Sequence, residues 1–285
     1  MLIGSSTQRA RPPGSTTGEY ALRMRSVDFS YCAAPDNSKS LYTGFELTIE
    51  QGSVVALMGA SGCGKSTLAK MMARIIGPTA GRIEWSSQFT KRADVVYMDQ
   101  HPMNSIFPWQ TVRRNLEYPL EKLEWSEPES RARVGYLASL FRLDGVMDAL
   151  PAQVSGGELQ RLALARCLSW RPGLVILDEP FSALDRDVKS NIIMALHELA
   201  TKDGMTLVLI THNVSDALAI GMRYVVIGDR PVRVLSDLEF KTPYPRERGT
   251  LDYDRMEKAL VACIREGLVQ PPCGELPDRC ESRRA

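Results

Sequence analysis

The chain has 285 residues, enough for one large domain or two small ones with a substantial buried core, so it needs no disulfide staples. Its 35 lysines and arginines offset 34 aspartates and glutamates, which argues against a bulk electrostatic partner such as nucleic acid or an anionic membrane surface; any anion binding must be local. The longest wholly apolar runs, such as Leu174–Leu177 and Leu207–Ile210, fall far short of the roughly 18 residues that suggest a bilayer span.

In chain order, residues 1–19 are polar and lack the apolar stretch of a secretory signal, so they read as a mobile tail. Six scattered cysteines without an export signal point to the reducing cytosol. There is no internal repeat. Short β-branched runs recur at Val54–Met58, Val95–Met98, Leu174–Leu177, Leu207–Ile210 and Tyr224–Ile227, several of them separated by helix-like stretches. Continuous apolar strands alternating with helices predict an α/β fold around a largely parallel sheet covered on both faces. From about 107 to 171 the β signal fades and helical patterning takes over, with Ser126 and Glu129 in capping-box spacing; this reads as a helical subdomain inserted between two strands. After about Pro231 the pattern loosens. Thr242–Gly249 looks like a linker into a last helix from Tyr253 to Leu268, and the end looks frayed. The expected division is a tail over 1–19, a main unit over 20–230 and an extension over 231–285.

The chemistry begins where the first apolar run ends. Gly59-Ala60-Ser61-Gly62-Cys63-Gly64-Lys65-Ser66-Thr67 satisfies G-x-x-x-x-G-K-[ST], the phosphate-binding P-loop, between a predicted strand and a predicted helix. Its glycines let successive N–H groups turn inward where a Cβ would obstruct a phosphate. The helix starting near Ser66 adds its positive dipole end, Lys65 reaches the β and γ phosphates, and Ser66 offers a hard oxygen to Mg²⁺. Cys63 needs only to be small. Downstream, Leu174–Leu177 bury a strand that ends in Asp178, suited to the magnesium shell, and Glu179, suited to polarising water.

Val154-Ser155-Gly156-Gly157-Glu158 then opens a long helix, a second anion-binding N-terminus in a chain with one P-loop. Two phosphate grips for one nucleotide imply that one of them serves another chain. Here the sequence resembles the ATP-binding cassette (ABC) family, whose signature loop is Leu-Ser-Gly-Gly-Gln; the resemblance covers roughly residues 22–230. In that family two cassettes pair head to tail. The resemblance implies an antiparallel β part near the N-terminus, and it implies that Ser155, Gly156 and Gly157 of one copy clamp the γ phosphate held by the other. Val154 and Glu158 are departures from the signature. By position, Tyr31 matches the aromatic residue that stacks on adenine, Gln100 the glutamine that touches Mg²⁺ and the attacking water, Phe181–Asp185 the loop that crosses the dimer interface, and His212 the histidine that contacts the γ phosphate. His101 reads as an ordinary loop histidine.

What the resemblance implies is a Mg²⁺-dependent ATPase at the cytoplasmic face of the membrane, paired with a second cassette, with no nucleic-acid partner, and coupled to separate permease subunits and a solute-binding protein. Phe107, Pro108 and Trp109 are candidates for the permease contact, with Trp109 equally able to pack inside the subdomain. Intact Lys65, Asp178, Glu179 and His212 count against a silent regulator. Phe107–Leu116 and the segment from Pro243 to Gly249 are similar to the importer branch for nitrate, sulfonates and taurine. The loop His101–Ile106 is about two residues longer than that branch has and is similar instead to peptide and nickel importers. Some of those carry a cysteine-rich tail; Cys263, Cys273 and Cys280 lack that spacing and read as incidental thiols. Soluble ABC proteins that act on DNA or ribosomes form another class, disfavoured here by a single cassette, the absence of sustained heptads and near-neutral charge.

Overall fold

The computed structural model describes residues 19–31, 40–240, 246, 248–266 and 280–282. Strands β1 (Tyr20–Phe29), β2 (Tyr42–Glu50) and β4 (Ala80–Trp85) form an antiparallel sheet in the order β2-β1-β4. The larger sheet contains β3 (Val54–Met58), β5 (Val95–Met98), β6 (Leu174–Asp178), β7 (Thr206–Ile210) and β8 (Arg223–Gly228), all parallel. Each is one of the five apolar runs. Strands β9 (Arg233–Phe240) and β10 (Cys280–Ser282) extend it antiparallel beyond β8, giving the order β10-β9-β8-β3-β7-β6-β5.

Every residue of β3, β6 and β7 is buried, because the sheet is covered on both faces. Alternate side chains divide between two cores. Leu174, Ile176, Val208 and Ile210 meet Leu68, Met71 and Met72 of α1 (Lys65–Met72) and the inner face of the antiparallel sheet. Val175, Leu177, Leu207 and Leu209 face the opposite way, toward the helices that follow β5 and β6. Each fully buried leucine or isoleucine contributes about 1.5–3 kcal/mol relative to exposure, so a one-residue slip of a central strand would exchange two packed faces at once.

Between β5 and β6 lie α2 (Val112–Lys122), α3 (Glu127–Leu140) and α4 (Gly156–Cys167). The Ser126 amide and hydroxyl both donate to the Glu129 carboxylate, at 3.3 and 2.5 Å, closing the capping box expected at the start of α3. Asn115 on α2 is wholly buried. It accepts from the Phe107 amide at 2.7 Å and donates to the carbonyls of Phe107, Gln110 and Thr111 at 3.0–3.1 Å, which fixes the loop leading into the helix. Asn115→Ala is therefore expected to destabilise the chain by roughly 2–3 kcal/mol, the cost of orphaning buried backbone groups. Chemical denaturation of the purified chain measures it; a loss under 0.5 kcal/mol would remove that account of the loop.

After β6 come α5 (Arg186–Asp203), α6 (Val214–Ile220) and α7 (Leu251–Glu266). The sheet continues across residue 231: Tyr224 pairs with Leu238 and Val226 with Ser236. Tyr253, Met256 and Leu260 of α7 form a third core with Leu218, Tyr224, Val226 and Phe240. The pattern looked loose there because β9 is mostly half-exposed and so lacks a continuous apolar run. At the end of the chain, Cys280–Ser282 pair with Leu238–Phe240, a use of the unpaired backbone groups on β9 that composition does not signal. The N-terminal tail, most of the Thr242–Gly249 linker and Cys273 lie outside the described residues.

Candidate functional site

The parallel strands deliver their C-terminal ends to one edge of the sheet, where the P-loop turns from β3 into α1. Gly59 lies at φ +157°, and a Cβ there would sit 2.3 Å from the Ile227 carbonyl oxygen. Gly64 caps α1 at φ +115°, where the Tyr42 hydroxyl, donating to the Gly64 carbonyl at 2.9 Å, leaves no room for a side chain. Lys65 curls back so that Nζ donates to the carbonyls of Gly59 and Ala60, each at 2.8 Å. Cys63 is buried with Sγ directed at Ile227 O, a packing role. Ala60, Ser61 and Gly62 are exposed.

A cleft of about 600 Å³ opens over the loop, lined among others by Tyr31, Leu41, Lys65, Ser66, Thr67 and Arg230. The Tyr31 ring is 71% exposed, braced edge-on by Phe29 at 5.0 Å and hydrogen-bonded to the Thr67 hydroxyl at 2.6 Å. An exposed aromatic held rigidly beside a phosphate loop is a ready stacking surface.

Asp178 ends β6 and is 2% exposed. Burial is the main reason its carboxyl is pushed above the usual carboxylate range, against the pull of hydrogen bonds from the Ser66 and Tyr97 hydroxyls; the Tyr97 bond is 3.2 Å. Among the described residues no cation forms an ion pair with it. A buried carboxylate beside a serine hydroxyl and without a protein cation suits a hard divalent ion whose other ligands are phosphate and water. No cluster of three or more metal-ligating His, Cys, Asp or Glu occurs among the described residues.

Glu179 follows in the left-handed region at φ +49°, a conformation that costs a non-glycine residue about 1–2 kcal/mol. Its amide still bonds Ile210 O at 2.9 Å, so the turn swings only the carboxylate, toward the end of β7. There Oε1 receives the His212 amide at 3.0 Å and lies 2.6 Å from His212 Nδ1, while Thr211 donates to Oε2 at 3.3 Å. With an ionised carboxylate as acceptor, Nδ1 carries the proton and Nε2 is left facing outward. The Glu179 side chain is 13% exposed and the His212 side chain 65%, so the pair runs from interior to solvent.

Gln100 stands two residues beyond β5, exposed, with no hydrogen bond from its side chain to the pair or to Asp178 among the described residues. The loop after Gln100 forms a short 3₁₀ turn, Pro102–Ser105, organised by Asp99: its amide donates to Ser105 Oγ, and its carboxylate receives His101 N and Asn104 Nδ2, all within 3.0–3.1 Å. Ser155 is also exposed, at the N-cap of α4. Glu158 accepts from the Ser155 amide at 2.8 Å and hydroxyl at 2.7 Å, and these bonds hold its carboxyl below the usual range. That capping box is intact at neutral pH and weakens as acid protonates Glu158. Gly157 packs so that a Cβ would touch Ala183 O at 3.4 Å, setting the Ser155 turn against the Phe181–Asp185 loop.

Tyr97, Thr211, Asn115 and Arg166 were not singled out from sequence. Arg166 lies over the Phe107 ring at 4.4 Å and donates to Ser105 O at 2.8 Å, while Trp109 next to Phe107 is 71% exposed. Tyr97, Thr211 and Arg166 act through contacts distant in sequence, Asn115 through the loop just before its own helix, and none belongs to a spaced motif.

A family model described as ABC transporter matches residues 42–182. The chain is 34% identical over 257 residues to the aliphatic sulfonates import ATP-binding protein SsuB of Rhodopseudomonas palustris, an alignment covering 90% of this chain and 88% of that one. It is also 34% identical over 230 residues to the bicarbonate transport ATP-binding protein CmpC of Synechococcus elongatus, covering 80% of this chain but 35% of that protein. Among solved structures, the ATP-binding cassette MJ0796, in a dimeric post-hydrolysis state bound to ADP and Pi, is similar with a TM-score of 0.67 and 25% identity over 78% of this chain and 100% of that one. A likeness that spans nearly the whole of a relative, on the same fold, settles membership: the chain belongs to the ABC transporter family and is one of its ATP-hydrolysing cassettes.

Proposed function

We propose that this cassette powers uptake of a small solute of the nitrate, sulfonate or taurine kind, through separate membrane subunits supplied by a solute-binding protein. The observation that carries the hydrolytic part is the Glu179 carboxylate, held by His212 and Thr211 at the strand ends beside the P-loop. The similarity to sulfonate and bicarbonate import subunits supports the uptake part.

In this reading Tyr31 stacks on adenine, and the amides of Gly59–Thr67 cradle the phosphates. Lys65 leaves its two carbonyls for the β and γ phosphates. Ser66 and Asp178 would hold Mg²⁺, with Gln100 joining from the β5 end. When bound, Mg²⁺ neutralises charge on the phosphate oxygens. Glu179 orients the attacking water and takes its proton, and His212, in the imidazolium form that keeps Nδ1–H on Glu179, donates Nε2–H to the γ phosphate. Ser155, Gly156 and Gly157 of a second cassette close the site from outside, with Glu158 fixing the turn that carries them. Loss of the γ phosphate removes the charge that held the two copies together, and the dimer reopens.

No helix among the described residues is long and apolar enough to cross a membrane, so the reading places this chain peripherally, on the cytoplasmic face, through its permease. Phe107 and exposed Trp109 are the proposed contact, since exposed aromatics make strong anchors. Purification from membranes tests the assembly: the cassette is expected to co-elute with hydrophobic subunits, and Trp109→Ala to weaken that recovery. Recovery only with ribosomes or DNA would overturn the import reading. The Pro and Ser spacing in the loop after Gln100 supports a second reading, a peptide- or nickel-type importer, and the solute bound by the co-purifying components discriminates between them.

A further inference from the structure

The turn joining β8 to β9 is fixed to the P-loop at one end and to the residue before β2 at the other. Ile227 O touches the loop at Cys63 Sγ, 3.8 Å away, and Val232 N donates to Leu41 O at 2.8 Å. Within the turn, Asp229 is left-handed at φ +67°, and its carboxylate is taken by Arg233 at 2.5 Å. Arg230 is therefore not neutralised by its acidic neighbour. Its exposed guanidinium reaches the cleft, where Nη2 donates to the Gly62 carbonyl at 3.3 Å, a long bond to a neutral acceptor. Cations from two separate elements, Lys65 and Arg230, line this cleft, and among the described residues no carboxylate does. A planar fork of five donors with one weak bond is prepared for phosphate oxygens, and because it is exposed it gives up little hydration on binding them.

We propose that Arg230 is a second cationic contact for the phosphate chain of the bound nucleotide, supplied by the β8–β9 turn and independent of the P-loop lysine. The inference rests on the reading of the P-loop as the nucleotide site. It makes the turn part of the binding machinery and ties phosphate occupancy to the hairpin that leads into β9.

The test compares the full-length wild type, R230A, R230K, R230E and K65A by equilibrium titration with Mg-ATP and with inorganic tripolyphosphate, after circular dichroism has shown matching folds. R230A is expected to weaken both ligands alike by about five- to tenfold, with KM for ATP rising by the same factor. R230K should recover part of the loss and R230E should exceed it. The salt dependence of ATP affinity should become shallower in R230A, because one charge contact is gone. Two results overturn the proposal: ATP affinity in R230A equal to the wild type, or a loss for ATP with none for tripolyphosphate, which would assign the arginine to the sugar or base. If K65A loses binding while R230A does not, the P-loop reading stands and the arginine contact falls; if the wild type binds neither ligand, both fall.

Discussion

Glu179→Gln should lower steady-state ATP turnover by about a hundred- to a thousandfold while nucleotide binding persists. Removing a positioned general base costs on the order of 10²–10⁴ in rate, and the amide keeps one oxygen to accept from the His212 amide while its NH₂ can donate to the Thr211 hydroxyl oxygen. The site geometry should survive, because the carboxylate here is held by hydrogen bonds from neutral groups. The loss should therefore fall on kcat and leave binding largely intact. Under saturating Mg-ATP the variant should also accumulate as a two-cassette species visible by light scattering on a sizing column. Turnover within threefold of the wild type would remove Glu179 from the chemistry, and normal-sized monomers despite lost turnover would remove the proposed closure.

Lys65→Ala is expected to weaken Mg-ATP binding by about 100-fold, close to 3 kcal/mol, the scale of one or two charge-assisted hydrogen bonds. In the present geometry Nζ spends its donors on Gly59 O and Ala60 O at 2.8 Å, so the ammonium sits in the mouth of the loop before any phosphate arrives. Phosphate then replaces two neutral acceptors by charged ones, a gain that alanine forgoes entirely. Competition against a fluorescent nucleotide reads the effect. An affinity within threefold of the wild type would mean that the phosphates are gripped elsewhere.

Much of this was legible in the residues. Val54–Met58, Val95–Met98 and the runs ending in Asp178 and Ile210 became central parallel strands because a sheet covered on both faces demands uninterrupted apolar segments, and such segments stand out. The P-loop was equally visible, since glycine is required wherever a Cβ would meet Ile227 O or Tyr42 Oη. Half-buried β9 and the third core under α7 were not legible: an edge strand needs no continuous apolar run, and α7 is recognisable as part of the body only once its partners on β8 are known. Asn115 and Arg166 were hidden for another reason. A polar residue gives no sequence signal for the carbonyls it will satisfy, whether they lie in the loop beside it, as for Asn115, or are brought to it by the fold, as for Arg166.

One of these hidden residues has a mechanical consequence. Helix α4 has Ser155 at its outer cap and Arg166 in its last turn, about 16 Å apart at 1.5 Å per residue, and the arginine is seated on Phe107 beside the protruding Trp109. The tryptophan loop and the serine cap are thus opposite ends of one physical chain, joined through a ring, a guanidinium and about three turns of helix, so a push at one end has a continuous packed route to the other.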